Sequence, residues 1–312
     1  MTNNGLRELY QIDWRIFIAG VEAWLQGRSP YAHLSEEFSA GAFAYPPTAL
    51  TWLALFVPLG ALGFYVWTMV QFAGWWLLIR ERWRSHIVLL AWSPVLVHMW
   101  EGQSTLAIVL VLWAATNAQQ RGWWWGMTLA WTLTKPHVAI IPVLWLLWQE
   151  RSSPQRWRLW GGMIAGTLLL AVPPTLMQPD LWNEWIMSLT SYRQRLLQVA
   201  AWQGSSIVVV LIAAYLWRRS GRGGWQWWLA AALVPHTNYY SMVVLLPTLR
   251  PRHSYWTLGG IALAMICMGP VNELMLPWLL AGHLVAAWMI NGGPAQQTAP
   301  QPMPIKPAEQ PS

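Results

Sequence analysis

Apolar runs fill most of the chain, and short polar segments separate them. The first part differs, because residues 13–31 read DWRIFIAGVEAWLQGRSPY and mix charged and apolar positions. Trp14, Phe17 and Val21 recur there at the three- and four-residue spacing of one helix face. This spacing predicts an amphipathic helix over 14–26, beginning just after Asp13.

From residue 45 onward the apolar runs contain too few polar residues to give each helix a solvent-exposed face. They predict a bundle of apolar helices. The predicted segments are 47–59, 63–80, 86–99, 104–118, 122–134, 136–149, 159–177, 205–217, 255–270 and 276–291. Residues 178–204 are predicted to be an outer loop. Several segments are shorter than the roughly 20 residues that cross a bilayer. We therefore expect a bent pair at Pro136 and a helix over 47–59 that dips into the outer leaflet, with 63–80 as the crossing.

The composition supports lipid as the solvent for this bundle. Of the 312 residues, 55% are hydrophobic and 10% are charged, whereas a soluble domain carries about 25% charged residues. The formal charge of +7 lies in short clusters between apolar segments, which indicates membrane topology rather than nucleic-acid binding. Cys267 is the only cysteine, which excludes a disulfide within the chain.

These observations predict an all-α fold, a polytopic membrane helical bundle of about 9 to 11 apolar helices, some short or re-entrant, with juxtamembrane helices at the outer face. Residues 1–45 form the outer-face loop with its amphipathic helix, and 46–291 form the bundle. Residues 292–312 are rich in Pro, Gln and Ala and are expected to be a disordered cytoplasmic tail. The basic clusters, assigned to the cytoplasm, are 80–84, Arg121, 151–158, 218–222, 250–252 and Lys306.

Four polar groups then fall on the outer side: Asp13, EGQ at 101–103, TKPH at 134–137 and PHTNYY at 235–240. Ionisable groups at the membrane edge are costly, and they usually face a cavity or a partner.

Each group also has an ordinary structural interpretation, and these alternatives stay open. Asp13 could be a helix N-cap. Glu101 and Gln103 could cap a helix that starts near Ser104. Lys135 could extend to the membrane interface, and the polar and aromatic residues at 235–240 could simply lie there.

The order of the motifs resembles glycosyltransferase family 87, the polyprenyl-phosphate-mannose-dependent mannosyltransferases of the GT-C class. The motifs are Asp13-Trp14, Gly27 to Tyr31, Tyr45-Pro46-Pro47, Gly102-Gln103-Ser104, Lys135-Pro136, and Pro235 to Tyr240 followed by Leu245-Leu246-Pro247. Each motif alone is weak, but their order along the chain is moderately specific.

The resemblance implies a GT-C-like membrane glycosyltransferase that moves a hexose, mannose in the family, from a polyprenyl phosphate donor to a lipid or glycan acceptor. The reaction would take place at the outer face of the plasma membrane with inversion, and Asp13 would be the general base. The residues expected to bind the donor phosphate are Lys135, His137, Arg193 and Arg195. The residues expected to bind substrate are Tyr31, Tyr45, Glu101, Gln103, His236, Asn238 and Tyr240.

No metal and no cofactor are expected, because a phosphate monoester is already a good leaving group and no carboxylate cluster calls for a divalent ion. The expected partners are the donor, the acceptor and membrane lipid, without nucleic acid. Enzymes of this class carry a transmembrane helix ahead of the catalytic loop, whereas twelve residues precede Asp13. We therefore expect either that the start of the chain was assigned too late or that the protein is a truncated relative that lacks this helix.

Two other functions compete with transfer. A transporter or flippase of lipid-linked substrate would suit broken helices at 134–137 and 235–240, although the sequence has no internal repeat. A non-catalytic protein that binds polyprenyl lipid is favoured if the first helix is truly missing.

Overall fold

The structure is a computed structural model, and it describes residues 11–32, 43–80 and 93–198 together with isolated positions between 215 and 247. Regular structure in this part of the chain is helical, and no strand occurs in it. The α-helices are α1 (Ile12–Leu25), α2 (Thr48–Leu53), α3 (Leu62–Ile79), α4 (Ser93–Glu101), α5 (Thr105–Asn117), α6 (Trp123–Thr132), α7 (Pro136–Glu150), α8 (Arg156–Met177) and α9 (Leu181–Gln198). A 3-10 helix, Ala54–Leu59, follows α2. The all-α prediction is confirmed for the described residues.

The helices begin and end close to the predicted positions, with one clear exception. Within the outer loop predicted over 178–204, Leu181–Gln198 form a helix that the apolar runs do not predict, and the side of the membrane on which this segment lies stays a prediction. Its polar composition hides it from a search for apolar runs, but it has one apolar face that includes the buried Leu181. The segments predicted at 205–217, 255–270 and 276–291 and the tail at 292–312 lie outside the described residues, single positions apart, and the domain boundaries stay predictions.

The break predicted between 59 and 63 is present. The pair Thr48–Leu59 and Leu62–Leu78 is bent by 119°. Pro58 lies inside the 3-10 helix, and Gly60 follows it with φ of 51°, which a residue with a side chain adopts rarely. The bend therefore has a local cause in the sequence, while its depth in a membrane stays a prediction.

Helix α8 is the one helix in the described residues that is long and apolar enough to cross a membrane by itself. The bent pair gives a second candidate if its two halves count as one span. Large apolar side chains of α8, such as Leu169 and Leu176, are more than half exposed. Length and exposure thus agree with a lipid-facing helix, and the number of crossings stays a prediction.

Helices α6 and α8 pack along each other at backbone contact. A Cβ atom on Gly162 would lie 2.0 Å from the carbonyl oxygen of Trp123, and one on Gly126 would lie 2.1 Å from that of Leu159. Small residues at such crossings let two helices approach closely, as in many membrane proteins.

Helix α1 packs against the rest of the protein through its predicted apolar face. Phe17 and Val21 are almost fully buried, and they share a core with Leu50 of α2. The Trp14 ring meets the Phe56 ring edge to face at 5.4 Å between centroids. This core fixes the position of α1, and with it the position of Asp13.

Candidate functional site

The start of α1 is attached to the turn that follows α4. The Gln11 backbone N–H donates to the Trp100 carbonyl oxygen at 2.9 Å. In that turn Gly102 has φ of 78°, and a Cβ atom there would lie 2.7 Å from the Cβ of Trp14. Glycine is thus required twice over, for its backbone angle and for the close approach of α1.

Asp13 lies in the first turn of α1 rather than at its N-cap. Gln11 occupies the N-cap position, with φ of 57°, and no side chain caps the helix. The Asp13 carboxyl group instead hydrogen bonds the side chains of Gln103 and Glu101. The N-cap interpretation of Asp13 is therefore wrong.

Lys135 points into the protein from the turn between α6 and α7. It is the N-cap residue of α7 and precedes Pro136, whose missing N–H suits the first helical position. Its ammonium donates to the Tyr45 hydroxyl at 2.8 Å and to Gln103 Oε1 at 2.7 Å, and the residue is 4% exposed. Lys135 does not extend to the membrane interface, so that alternative is wrong.

Tyr45 joins the N-terminal part of the chain to the two turns. Its hydroxyl donates to Gln103 Oε1 at 3.1 Å and accepts from Ser104 Oγ at 3.4 Å. Its carbonyl oxygen accepts from the Tyr31 hydroxyl at 2.9 Å. Burial raises the pKa of Tyr31, and the negative charge of Glu184 on α9 adds to the effect. Tyr31 thus helps to hold the backbone of Tyr45 in place, and its raised pKa keeps its hydroxyl group protonated.

His98 was not among the predicted site residues, yet it organises the turn. It is fully buried in α4, and its Nε2 accepts the backbone N–H of Leu106 at 2.8 Å, in the first turn of α5. The interpretation of Glu101 and Gln103 as caps of α5 is therefore wrong: Ser104 is the N-cap residue, it gives no side-chain cap, and His98 takes that part. In the sequence, His98 and Leu106 are simply eight residues apart, and this separation does not predict a hydrogen bond between them.

Burial and neighbouring charges shift the pKa values of the ionisable groups at the site. Burial raises the pKa of Asp13, against the opposing effects of Lys135 and of the hydrogen bonds from Gln103 and Glu101. Burial, and then the neighbouring Asp13, raise the pKa of Glu101 to about 8. Burial lowers the pKa of Lys135 to about 7, although both carboxyl groups oppose this. The protonation of each of these three groups therefore depends on the charge of the other two.

The structure thus brings together five of the residues predicted for the site, from four separate parts of the chain: Asp13, Tyr45, Glu101, Gln103 and Lys135. We call these five side chains the polar cluster. His137 is exposed at the start of α7, two residues from Lys135. Arg193 and Arg195 lie on α9, but their side chains are outside the described ones, and so are His236, Asn238 and Tyr240. Within the described residues, no three His, Cys, Asp or Glu side chains are grouped to hold a metal ion.

The described helices and this cluster define a class: an all-helical membrane-associated protein with ionisable side chains gathered where helices meet. The chain belongs to glycosyltransferase family 87, whose family model matches residues 43–271. The resemblance seen in the sequence is confirmed, and membership makes the protein a membrane glycosyltransferase that uses a sugar donor and an acceptor. Asp13 precedes the matched residues, whereas the other four members of the polar cluster lie within them. No curated protein and no solved structure matches the chain.

Proposed function

We propose that this protein transfers a hexose, mannose by its family, from a polyprenyl phosphate to a hydroxyl of a lipid or glycan acceptor, with inversion. The reaction takes place at the outer face of the plasma membrane, at one end of a polytopic helical bundle. The observation that carries it is the polar cluster, in which a carboxylate, a buried ammonium and an amide meet in a member of family 87.

Asp13 is the proposed general base. The acceptor oxygen attacks the anomeric carbon while the bond between that carbon and the phosphate oxygen breaks, and its electron pair leaves with the phosphate. The hydroxyl proton passes to Asp13, because a carboxylate within hydrogen-bond reach can accept it. A single displacement needs one base and inverts the anomeric carbon.

Lys135 and His137 are the proposed phosphate-binding residues, together with Arg193 and Arg195. The ammonium of Lys135 is almost completely shielded from water, so its charge interacts with other charges more strongly than it would in water. The N-terminus of α7 also favours an anion through the dipole of the helix. His137 is exposed in the first turn of this helix, so it can reach a head group from outside.

Replacement of Asp13 by Asn tests the base directly. The amide keeps the size of the side chain and can keep a hydrogen bond to Glu101, but it cannot accept the hydroxyl proton. We expect the purified protein to stay folded in detergent and its turnover to fall by about 10²-fold or more. The measurement is transfer of radiolabelled sugar from a polyprenyl phosphate donor to an acceptor-containing membrane fraction.

Asp180→Asn is the matched control, since Asp180 is exposed just before α9 and contacts none of the polar cluster. Full activity in Asp13→Asn, or an equal loss in the control, would remove Asp13 from the reaction. Movement of intact donor across the membrane, without any transfer by the wild type, would favour the flippase alternative.

A further inference from the structure

Asp13 and Glu101 are joined by a hydrogen bond between their side chains. Ionised carboxylates only accept hydrogen bonds, so a direct bond between two carboxyl groups requires that one of them carries a proton. The contact between the two carboxyl groups therefore favours one proton on the pair.

The neighbours of the pair indicate which group is ionised. Gln103 Oε1 already accepts from Lys135 and Tyr45, so the other end of this amide, its NH₂ group, faces Asp13 as a donor. Asp13 thus accepts from Gln103 and from Glu101, as an ionised carboxylate does. On Glu101, Oε2 is buried and has no hydrogen-bond partner, which disfavours a negative charge on this carboxyl group and favours its protonated form.

The charges around the pair agree with a single negative charge. Lys135 supplies one positive charge against it. His98, packed behind the turn, accepts a backbone N–H through Nε2 and is therefore neutral. Arg15, the other charged residue of the first turn of α1, is exposed. One ammonium beside one carboxylate leaves the buried cluster without excess charge.

We propose that Asp13 and Glu101 share one proton, and that Glu101 is a positioning residue whose carboxyl group holds the Asp13 carboxylate ionised and aimed. This inference rests on the proposed transfer, and it assigns to Glu101 a role other than substrate binding. During transfer Asp13 takes the acceptor proton, so that both groups are then protonated. The departing phosphate or water accepts one proton and restores the pair.

Infrared difference spectroscopy of the detergent-solubilised protein tests the shared proton without donor or acceptor. Near neutral pH we expect the carbonyl band of a protonated carboxyl group, which is lost at alkaline pH. The band should be absent in Glu101→Gln, which removes the proton's carrier. In Asp13→Asn the band should remain but shift in frequency, because burial still favours the protonated form of Glu101, which then faces an amide instead of a carboxylate.

Glu22→Gln is the control, since Glu22 is exposed on α1, and it should keep the band. Absence of the band in the wild type, its survival in Glu101→Gln, or an unchanged frequency in Asp13→Asn overturns the shared proton. Turnover should fall further in Glu101→Ala than in Glu101→Gln, because only the amide can still donate to Asp13. Equal losses overturn the positioning role. A protein that shows the band but no sugar transfer keeps the pair and refutes the proposed reaction, so the two failures are distinguishable.

Discussion

Glu101 and Lys135 lie in the same cluster, and their pKa values move toward each other from opposite ends of the pH scale. Loss of water around each group disfavours its charged form, which raises the pKa of the acid to about 8 and lowers that of the amine to about 7. Proton transfer at neutral pH is easiest between groups with such values. Burial is thus the main cause of both shifted pKa values.

The raised pKa of Glu101 makes folding stability depend on pH. Its ordinary value is 4.5, so between that pH and about 8 the folded protein holds a proton that the unfolded chain releases. This contribution is complete below the ordinary value and is lost as the pH rises through the folded one. We expect the thermal midpoint to fall less steeply in Glu101→Gln than in the wild type from about pH 5 to about pH 7.

This range lies below the titration of folded Lys135, whose lowered pKa has the opposite effect because above about 7 the unfolded chain binds more protons. Glu22→Gln should keep the wild-type pH dependence. The same steepness in Glu101→Gln as in the wild type would mean that Glu101 is ionised in the folded protein.

For single residues, the sequence predicts which polar side chains belong to the site better than it predicts what those side chains contact. Asp13, Glu101 and Lys135 stand out because charges are rare near the membrane edge. The bond from Gln11 to Trp100, however, sets where α1 begins, and such a tertiary contact is invisible in the chain. The role of His98 could not be predicted for the same reason, because its hydrogen-bond partner is a backbone N–H on another helix.

Among the helices, α6 and α8 depend most on small side chains. Gly162→Ala would place a methyl group 2.0 Å from the carbonyl oxygen of Trp123, so the helices must separate. We expect a loss of about 1 to 3 kcal/mol in the free energy of unfolding, the usual scale of overpacking. Chemical denaturation in detergent, followed by circular dichroism, measures it.

Gly74→Ala in α3 is the matched control, because a Cβ atom there would meet only Leu110 Cδ1, at an ordinary 3.5 Å. Alanine is the better helix former, so this variant should be as stable as the wild type or more so. If Gly162→Ala unfolds like the control, the close contact between α6 and α8 does not limit stability.

The elements themselves follow from the sequence where composition and turn residues agree. Pro58 and Gly60 mark the break between the halves of the bent pair, and Pro136 marks the start of α7. Helix α9 was missed because it is amphipathic and mostly polar, so a search for apolar runs places a loop there. Its face toward Tyr31 is set by packing that the sequence does not display.

At the scale of the whole molecule, α7 has polar side chains at both of its ends. The polar cluster lies at its N-cap residue, Lys135, and the ion pair of Arg121 with Glu150 lies at its last residue. Fifteen residues of helix span about 22 Å, most of the thickness of a bilayer core. We expect the end with the polar cluster to face outward and the basic end to face the cytoplasm.

Cysteine labelling of intact cells tests this orientation in a Cys267→Ser background. Gln26→Cys lies just after α1 and Ser152→Cys lies between α7 and α8, and both positions are exposed. A membrane-impermeant maleimide should label Gln26→Cys directly and Ser152→Cys only after permeabilisation. The reverse pattern would place the polar cluster in the cytoplasm and contradict the outer-face reaction.

The separation of the polar cluster along the chain also constrains how the protein is made. Asp13 is synthesised 122 residues before Lys135, which takes about 6 to 24 s at 5 to 20 residues per second. The apolar face of α1 can pack much earlier, because Phe17 and Val21 share a core with Leu50, which is made before Lys135. For the whole interval, however, the Asp13 carboxyl group has no Lys135 ammonium beside it. The two opposite charges of the site therefore meet only after this part of the core around α1 has been made.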